Sequence, residues 1–297
     1  MPMPISSEEF WRKIMSLYLS ATNTMTYLRG YLEKSTNSYN TTMTQLSSGN
    51  KITGIADNPV ELSKSAGFTA SISANAQAMS NVDLGKNMLD MAESSQNIVL
   101  ENLQAINDLC LQAANGTYTA TDKDAMLEEI RKRLDNIDNV AKNTNYNGVY
   151  LLDGSTSNIK IQTGANAESF INVGSALIDV RVAQLGGGIA IAGTVTGSTW
   201  TDADIATFMG KIGDSMSEII AGNANIGSYQ NRLDAKTDIL TSIEDNLKVN
   251  RSLISDTDVA EASANLVQSQ ILQQASASLL TQTTQIPTMI LNLLGKS

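Results

Sequence analysis

Histidine, paired carboxylates and activated serine or cysteine carry most enzyme chemistry, and this sequence offers few of them. The chain has no histidine, which removes the commonest general base and the commonest metal ligand. Its single cysteine, Cys110, rules out an intrachain disulfide. Cys110 falls on the apolar stripe of a helical segment, where a buried structural thiol outweighs a reactive one. Carboxylate pairs could still act as acid and base. However, no Gly-rich phosphate loop, GxSxG elbow or acidic cluster with metal-loop spacing is found. Glu128–Lys132 and Glu129–Arg133 are i,i+4 pairs and read as a solvated helix face. Sequons at Asn40, Asn115 and Asn250 follow no secretory signal and read as chance matches. The expectation is a protein without catalytic residues, metal or cofactor.

Bulk properties narrow the class further. Of 297 residues, 42% are hydrophobic, 5% are aromatic and only four are proline. That suits long helices packed side by side better than a compact, loop-rich enzyme. The net charge of −10 repels phosphate, so nucleic-acid binding is not expected. No Lys/Arg cluster marks an anionic membrane surface, and no run of 18 apolar residues predicts membrane insertion. At the N-terminus Glu8 and Glu9 stand where a signal peptide carries positive charge. Export, if it occurs, is expected to use a route without a cleaved signal.

The elements that organise the chain are helical. Residues 14–28 and 262–295 carry no charge, and both mix apolar residues with Ser, Thr, Asn and Gln. Two such ends, far apart in sequence, suit a protein that polymerises through paired terminal helices. A short helix is predicted from Ser7, where Ser6 and Glu9 could form a capping box. A second covers 19–47, with Met25, Leu28, Leu32, Tyr39, Met43 and Leu46 on one broad face. From 80 to 115 the spacing of Val82, Leu89, Ala92, Val99, Leu103, Ile106, Cys110 and Ala113 predicts a coiled-coil seam, interrupted at Gly85 and Gln96. Another helix is expected from about Asp122 to Asn143.

Residues 146–200 change character. Asn147-Gly148 and Asp153-Gly154 are turn signals, and a β-hairpin is expected near 159–173. Gly186-Gly187-Gly188 with 189–193 reads as a flexible connection. Helix returns at Asp202, and a seam through Ile226, Tyr229, Leu233, Lys236, Leu240, Ile243, Leu247, Asn250 and Ile254 is predicted, with Lys236 and Asn250 fixing register. A last striped helix spans 257–294, with a kink at Pro287. The expected fold is mainly α: an elongated antiparallel bundle or coiled coil with its N- and C-terminal helices paired and a small β-hairpin region.

Five stretches in this order resemble bacterial flagellin. Leu46-Ser47-Ser48-Gly49-Asn50-Lys51-Ile52 followed by Asp57 looks like the family's LSSGxRI…D element. Gln112-Ala113-Ala114-Asn115-Gly116-Thr117 looks like its QAxNGT turn. Asn145-Tyr146-Asn147-Gly148-Val149 with Leu152, then 270–275, then Gln285-Ile286-Pro287 with Leu291 and Leu294, resemble later family segments. Three departures stand out. Residues 1–14 form an N-terminal extension, with Met15 as an alternative start. Gln45 replaces the usual Arg. The variable outer region is nearly absent, so the resemblance is to a short flagellin.

The resemblance implies a structural subunit that is exported unfolded and polymerises into the flagellar filament outside the cell. It implies a terminal core domain from 15–60 and 255–297, and an inner rod domain at 61–254 holding the β region near 146–200. Filament-core and chaperone contacts would fall on Leu28, Leu32, Met43, Leu46, Leu266, Ile271, Leu272, Leu279, Leu280, Ile286, Ile290, Leu293 and Leu294. The bundle seam would use Val99, Leu103, Ile106, Cys110, Leu233, Leu240, Ile243 and Leu247. Implied partners are other copies of the chain, a carboxyl-terminal export chaperone, the export apparatus, and the filament cap and hook–filament junction proteins. The family's innate-immune receptor surface corresponds to Leu109 and Glu129, but Ala105 stands in place of its arginine; intersubunit packing is the plainer role for Leu109. The alternative readings are a hook–filament junction protein, or a coiled-coil secretion filament or adhesin.

Overall fold

The computed structural model describes residues 7–55 and 57–294, leaving aside the side chains of Ser7, Phe10, Ile14 and residues 286–294. Five helices dominate: α1 (Ser7–Ser48), α2 (Pro59–Ala113), α3 (Ala120–Asn143), α4 (Asp202–Ser255) and α5 (Val259–Leu294). The chain divides into two compact units. One comprises residues 70–247 and the other residues 1–69 with 248–297.

The 70–247 unit is built on a seven-residue period. On α2, Asn75, Val82, Leu89, Gln96, Leu103 and Cys110 are buried at successive intervals of seven. Ala78, Gly85, Ala92, Val99, Ile106 and Ala113 form a second such row. α4 answers with Ile205, Ile212, Ile219, Ile226, Leu233 and Leu240, again seven apart. A 3.5-residue average keeps both rows against a partner helix and imposes a left-handed supercoil. Asn75 Nδ2 donates to Leu240 O (2.6 Å), Lys86 pairs with Asp234, Gln230 Nε2 donates to Asp90 (2.7 Å), and Asn223 donates to Asn97 (2.9 Å). These pairs make α2 and α4 antiparallel. α3 adds Leu127, Ile130, Leu134, Ile137 and Ala141 to the same core. A capping box starts it: Thr119 accepts from Asp122 N, and the Asp122 carboxylate accepts from Thr119 N.

Two hairpins close this unit. β1 (Asn145–Tyr146) pairs with β2 (Val149–Tyr150), and β3 (Lys160–Gln162) with β4 (Phe170–Asn172), both antiparallel. Between β1 and β2, Asn147 and Gly148 both take positive φ (50° and 83°), the requirement of a two-residue type I′ turn. Ile161 on β3 explains the break in the α2 seam at Gly85. A Cβ on Gly85 would lie 2.2 Å from Ile161 Cδ1, so glycine is what lets the hairpin sit on the helix.

The stretch after β4 differs from the flexible connection expected of its glycines. Val180, Val182, Leu185, Ile189 and Trp200 are buried. Gly188 O accepts from Lys211 Nζ (3.0 Å), Gly186 N donates to Glu218, and Ser175 Oγ meets Tyr229 Oη (2.8 Å). Gly186 adopts φ 54° against Lys211 O, where a Cβ would fall 2.4 Å from that oxygen. On the α3 side, Asp138 accepts from Val182 N (2.9 Å) and Asp124 from Gly197 N (2.6 Å). The segment therefore runs down α4 from about Ile205 to Tyr229 as a third layer. The α4 seam accordingly begins at Ile205, earlier than expected. It also ends earlier: past Tyr229 this cover stops, so Ile243 is exposed and Leu247 only half-buried rather than closing the seam.

Two substitutions should separate the layers of this core. Leu240→Asp places an uncompensated charge in the α2–α4 seam and should cost roughly 3–5 kcal/mol. Gln96 is fully buried with neither amide atom hydrogen-bonded. Gln96→Leu should therefore raise stability by about 1–3 kcal/mol. Thermal unfolding followed by circular dichroism should move down for the first and up for the second.

Burial also sets an alkaline limit. The Cys110 thiol is pushed up to about 12 by desolvation, because the apolar core disfavours the thiolate. A raised folded-state value gives stability that is intact below the unfolded thiol's titration and is lost as pH climbs through about 9 toward 12. Urea midpoints should fall across that window in the native chain and fall less in Cys110→Ala.

Candidate functional site

The other unit is made differently. α1 and α5 run antiparallel, joined laterally by Ser269 Oγ to Ser38 Oγ (3.2 Å) and Gln273 Nε2 to Thr36 Oγ1 (2.9 Å). α1 is one helix through Gly30 rather than two segments, and α5 continues through Pro287. Their contact rows again repeat every seven residues. Ala21, Leu28, Ser35 and Thr42, with Met25, Leu32, Tyr39 and Leu46, face Ala262, Ser269, Ser276 and Thr283, with Leu266, Gln273 and Leu280. The most buried members are small or polar: Ala21, Ser35, Thr42, Ala262, Ser269, Ser276 and Thr283. Small side chains let the backbones close in, and many α1–α5 Cα pairs lie within 8 Å. Almost no pair among α2, α3 and α4 comes that close, because Leu and Ile hold those helices apart.

The consequence is a pair that leaves many of its large apolar side chains pointing outward. On α5, Val267, Ile271, Leu272 and Leu279 are exposed; on α1, Met15, Leu17, Leu19, Tyr27, Tyr31 and Met43 are exposed. A groove of about 460 Å³ follows one side of the pair, lined among others by Leu28, Tyr31, Ser35, Leu272, Ser276 and Leu279. Contiguous exposed apolar surface of this kind marks an interaction site. Internal support is thin: the hydroxyls of Thr22, Thr24, Thr26, Thr36, Thr42 and Thr44 each donate to the carbonyl four residues earlier. Such back-bonding slightly weakens a helix.

An elbow joins the two helices to α2 and α4. Gly49 ends α1 at φ 71°. Thr257 N donates to Gly49 O (2.9 Å) and Lys51 N to Ser255 O (2.7 Å). Gln45, in the position of the family's usual Arg, donates to Lys51 O (2.7 Å). Asp57 accepts from the hydroxyl and the backbone N–H of Thr53 (2.9 and 3.1 Å), which together hold its carboxyl below the usual range. Asp258 caps α5 by accepting from Ala260 N and Glu261 N. The Leu46–Asp57 motif is thus a folded knot.

The residues expected at the site divide three ways. Leu28, Leu32, Leu46, Leu266 and Leu280 are half-buried between α1 and α5, while Met43, Ile271, Leu272 and Leu279 face outward. Met43 does not share a face with the others because Thr42 occupies the seam. The side chains of Ile286, Ile290, Leu293 and Leu294 lie outside the described residues. In the 70–247 unit, Val99, Leu103, Ile106, Cys110, Leu233 and Leu240 are buried. Leu109 packs half-buried on that core, and Glu129 is paired with Arg133 at 3.0 Å. Among the described residues no cluster of acids, histidine or cysteine could hold a metal, and no helix is long and apolar enough to cross a membrane.

Residues 18–157 match the bacterial flagellin N-terminal helical region, and residues 209–294 the bacterial flagellin C-terminal helical region. The chain belongs to the bacterial flagellin family. It is 26% identical to Flagellin A of Vibrio cholerae serotype O1 over 362 aligned residues, covering 89% of this chain and 96% of that protein. That alignment is longer than this chain, so the Vibrio protein carries residues without a counterpart here. Flagellin of Halalkalibacterium halodurans is 28% identical over 253 residues (85% and 90%). The filament core protein flaB2 of Brachyspira hyodysenteriae is 27% identical over 246 residues (81% and 86%). The crystal structure of Bacillus cereus flagellin is similar at 27% identity and TM-score 0.45, covering 54% of this chain and 88% of that one. The protein is a short-form flagellin, a structural subunit of the flagellar filament, which stands outside the cell. Its family is structural rather than enzymatic.

The close α1–α5 seam generates a test. Thr42→Phe forces a ring into a gap sized for threonine and should cost about 1–3 kcal/mol. Leu279→Ser, on the outer face, should leave monomer unfolding nearly unchanged. Denaturant titration of the monomers would compare them.

Proposed function

We propose that this flagellin polymerises by coupling the completion of its terminal helices to docking on neighbouring subunits. The observation that carries the reading is the α1–α5 pair itself, whose most buried positions are small or polar and which leaves Val267, Ile271, Leu272, Leu279, Tyr27, Tyr31 and Met43 exposed. Each Leu or Ile covered by a neighbour contributes about 1.5–3 kcal/mol, and that gain offsets the ordering entropy of helices with little support of their own. On this reading 15–60 and 255–297 form the filament core, with Leu28, Leu32, Met43, Leu46, Leu266, Ile271, Leu272, Leu279, Leu280, Ile286, Ile290, Leu293 and Leu294 as its contacts. Residues 61–254 form the inner rod, in which the seam residues hold the bundle and Leu109 and Glu129 belong to an intersubunit surface. The subunit travels unfolded through the export apparatus without a cleaved signal. An export chaperone reads the apolar stripe of α5 by a helix-in-groove mode, and the cap and hook–filament junction proteins meet the same surfaces. The chain itself carries out no catalysis.

Removing residues 262–297 should abolish polymerisation and chaperone binding while leaving the helical signal of the 70–247 unit. Leu279→Asp should block elongation of sheared filament seeds far more than Gln282→Asn, a change on an exposed position of α5. Amide exchange should find both ends weakly protected in dilute monomer and strongly protected in the filament. A truncated chain that still elongates seeds would overturn the reading.

A further inference from the structure

A second face of α1 lies outside the α1–α5 seam and is shaped for something narrow. Asn23, Thr26, Tyr27, Gly30, Tyr31 and Lys34 line an open groove of about 620 Å³. Tyr27, Tyr31 and Lys34 are spaced i, i+4, i+7 and so share one side of the helix. Gly30 makes the notch: nothing stands within 4 Å of where its Cβ would be, while the two exposed tyrosine rings form its walls. Lys34 places one positive charge in its lining, and Arg29 and Glu33 flank it on neighbouring faces of the helix. Arg29 and Lys34 are exposed, and neither forms an ion pair among the described residues. Apart from Glu33, α1 carries no other charge between Lys13 and its end, and α5 carries none after Glu261.

The elbow of the same unit presents the opposite character. Asp256, Asp258 and Glu261 are exposed around a recess where Lys51 is the one cation in the lining. Two apolar side chains project beside these carboxylates: Leu253, 78% exposed, and Val259, 60% exposed. The notch sets a cation between aromatic rings, and the elbow sets an excess of carboxylates beside two projecting aliphatic side chains, so the two surfaces are complementary in charge and in apolar contact. They cannot meet within one subunit. Gly30 and Gly49 lie on either end of a helical stretch about 28 Å long at 1.5 Å per residue.

We propose that the Gly30 groove of one subunit receives the 253–261 elbow of a second copy, with Val259 between Tyr27 and Tyr31 and with Arg29 and Lys34 facing Asp256 and Glu261. This rests on the self-assembly reading and adds to it a contact with direction. Groove and elbow are different surfaces, so the contact is heterologous and leaves one of each free at every step, which is the condition for an open polymer rather than a closed dimer. The ionic part fixes register and orientation more than it adds affinity.

Charge exchange in the full-length chain tests it, read as the critical concentration for self-assembly. Arg29→Glu with Lys34→Glu should raise that concentration at least about tenfold at low ionic strength, since like charges would then face each other. Asp256→Lys with Glu261→Lys should do the same. Asp258 is left alone because it caps α5. The chain carrying all four changes should recover to within about threefold of the native value. It should elongate its own seeds but not native ones. Raising ionic strength should weaken native assembly and relieve the double reversals, because the contact is screened over about 8 Å at physiological salt. If a reversal lowers monomer helicity, Arg29→Gln with Lys34→Gln takes its place and should abolish the salt dependence. Reversals that assemble like the native chain, or a four-fold exchange that fails to recover while its monomer keeps native helicity, would overturn this contact and leave the filament reading standing. A native chain that does not assemble at all would overturn both.

Discussion

Seven-residue repetition of buried positions is the constraint on which everything else in this molecule depends. In the 70–247 unit the repeat is filled with Ile, Leu and Val, and the helices are held apart by the bulk of those side chains. Packing of this type buries enough apolar surface to make a self-sufficient core. Its two imperfections, Gly85 and Gln96, mark where other layers enter. Gly85 admits Ile161 of the hairpin, and Gly222 leaves the space that lets Gln96 and Ile178 approach. The small β region and the anchored segment after it are therefore fitted to gaps in a helical repeat, not merely attached to its end.

The terminal helices use the same period with the opposite filling. Serine, threonine and alanine take the most buried positions of these rows, where an ordinary coiled coil would carry leucine and isoleucine, and Leu28, Leu32, Leu46, Leu266 and Leu280 are only half-buried beside them. Close backbone approach and a few hydroxyl and amide hydrogen bonds replace hydrophobic burial as the link between α1 and α5. The leucines and tyrosines displaced from that seam become the outer surface. One sequence period thus produces a core with its large apolar side chains inside and a helix pair with many of them on its outer surface.

Legibility in the sequence followed this division. The α2 seam could be read because Val82, Leu89, Val99, Leu103, Ile106 and Cys110 are both apolar and inside. The first half of α4 was read as helix, but its seam was missed because the second row, Phe208, Ser215 and Gly222, is only partly apolar, and Ser215 hides its hydroxyl by donating to Lys211 O (2.8 Å). In α5 apolarity and burial are uncoupled: Ser269 and Ser276 face α1 while Ile271 and Leu279 do not, an orientation no hydropathy pattern reveals. Residues 186–193 looked like a linker because three glycines outweigh Leu185 and Ile189 when tertiary contacts are unknown. The loss of the seam at Ile243 depends on where a separate layer stops. The elbow was singled out only by the resemblance of Leu46–Ile52 and Asp57 to a family element; its cross-bonds from Lys51 to Ser255 and from Thr257 to Gly49 join residues far apart in sequence and leave no local pattern.

The burial of Cys110 has a practical side. The only sulfhydryl in the sequence is fully enclosed in the core and strongly disfavours its thiolate, and thiolate is the form that attacks maleimides and disulfides. For thiol chemistry the folded subunit therefore behaves as a cysteine-free scaffold without any replacement of the native residue. A cysteine introduced on an exposed position would be the sole point of attachment, so fluorophores or cargo could be arrayed along a filament at one address per subunit.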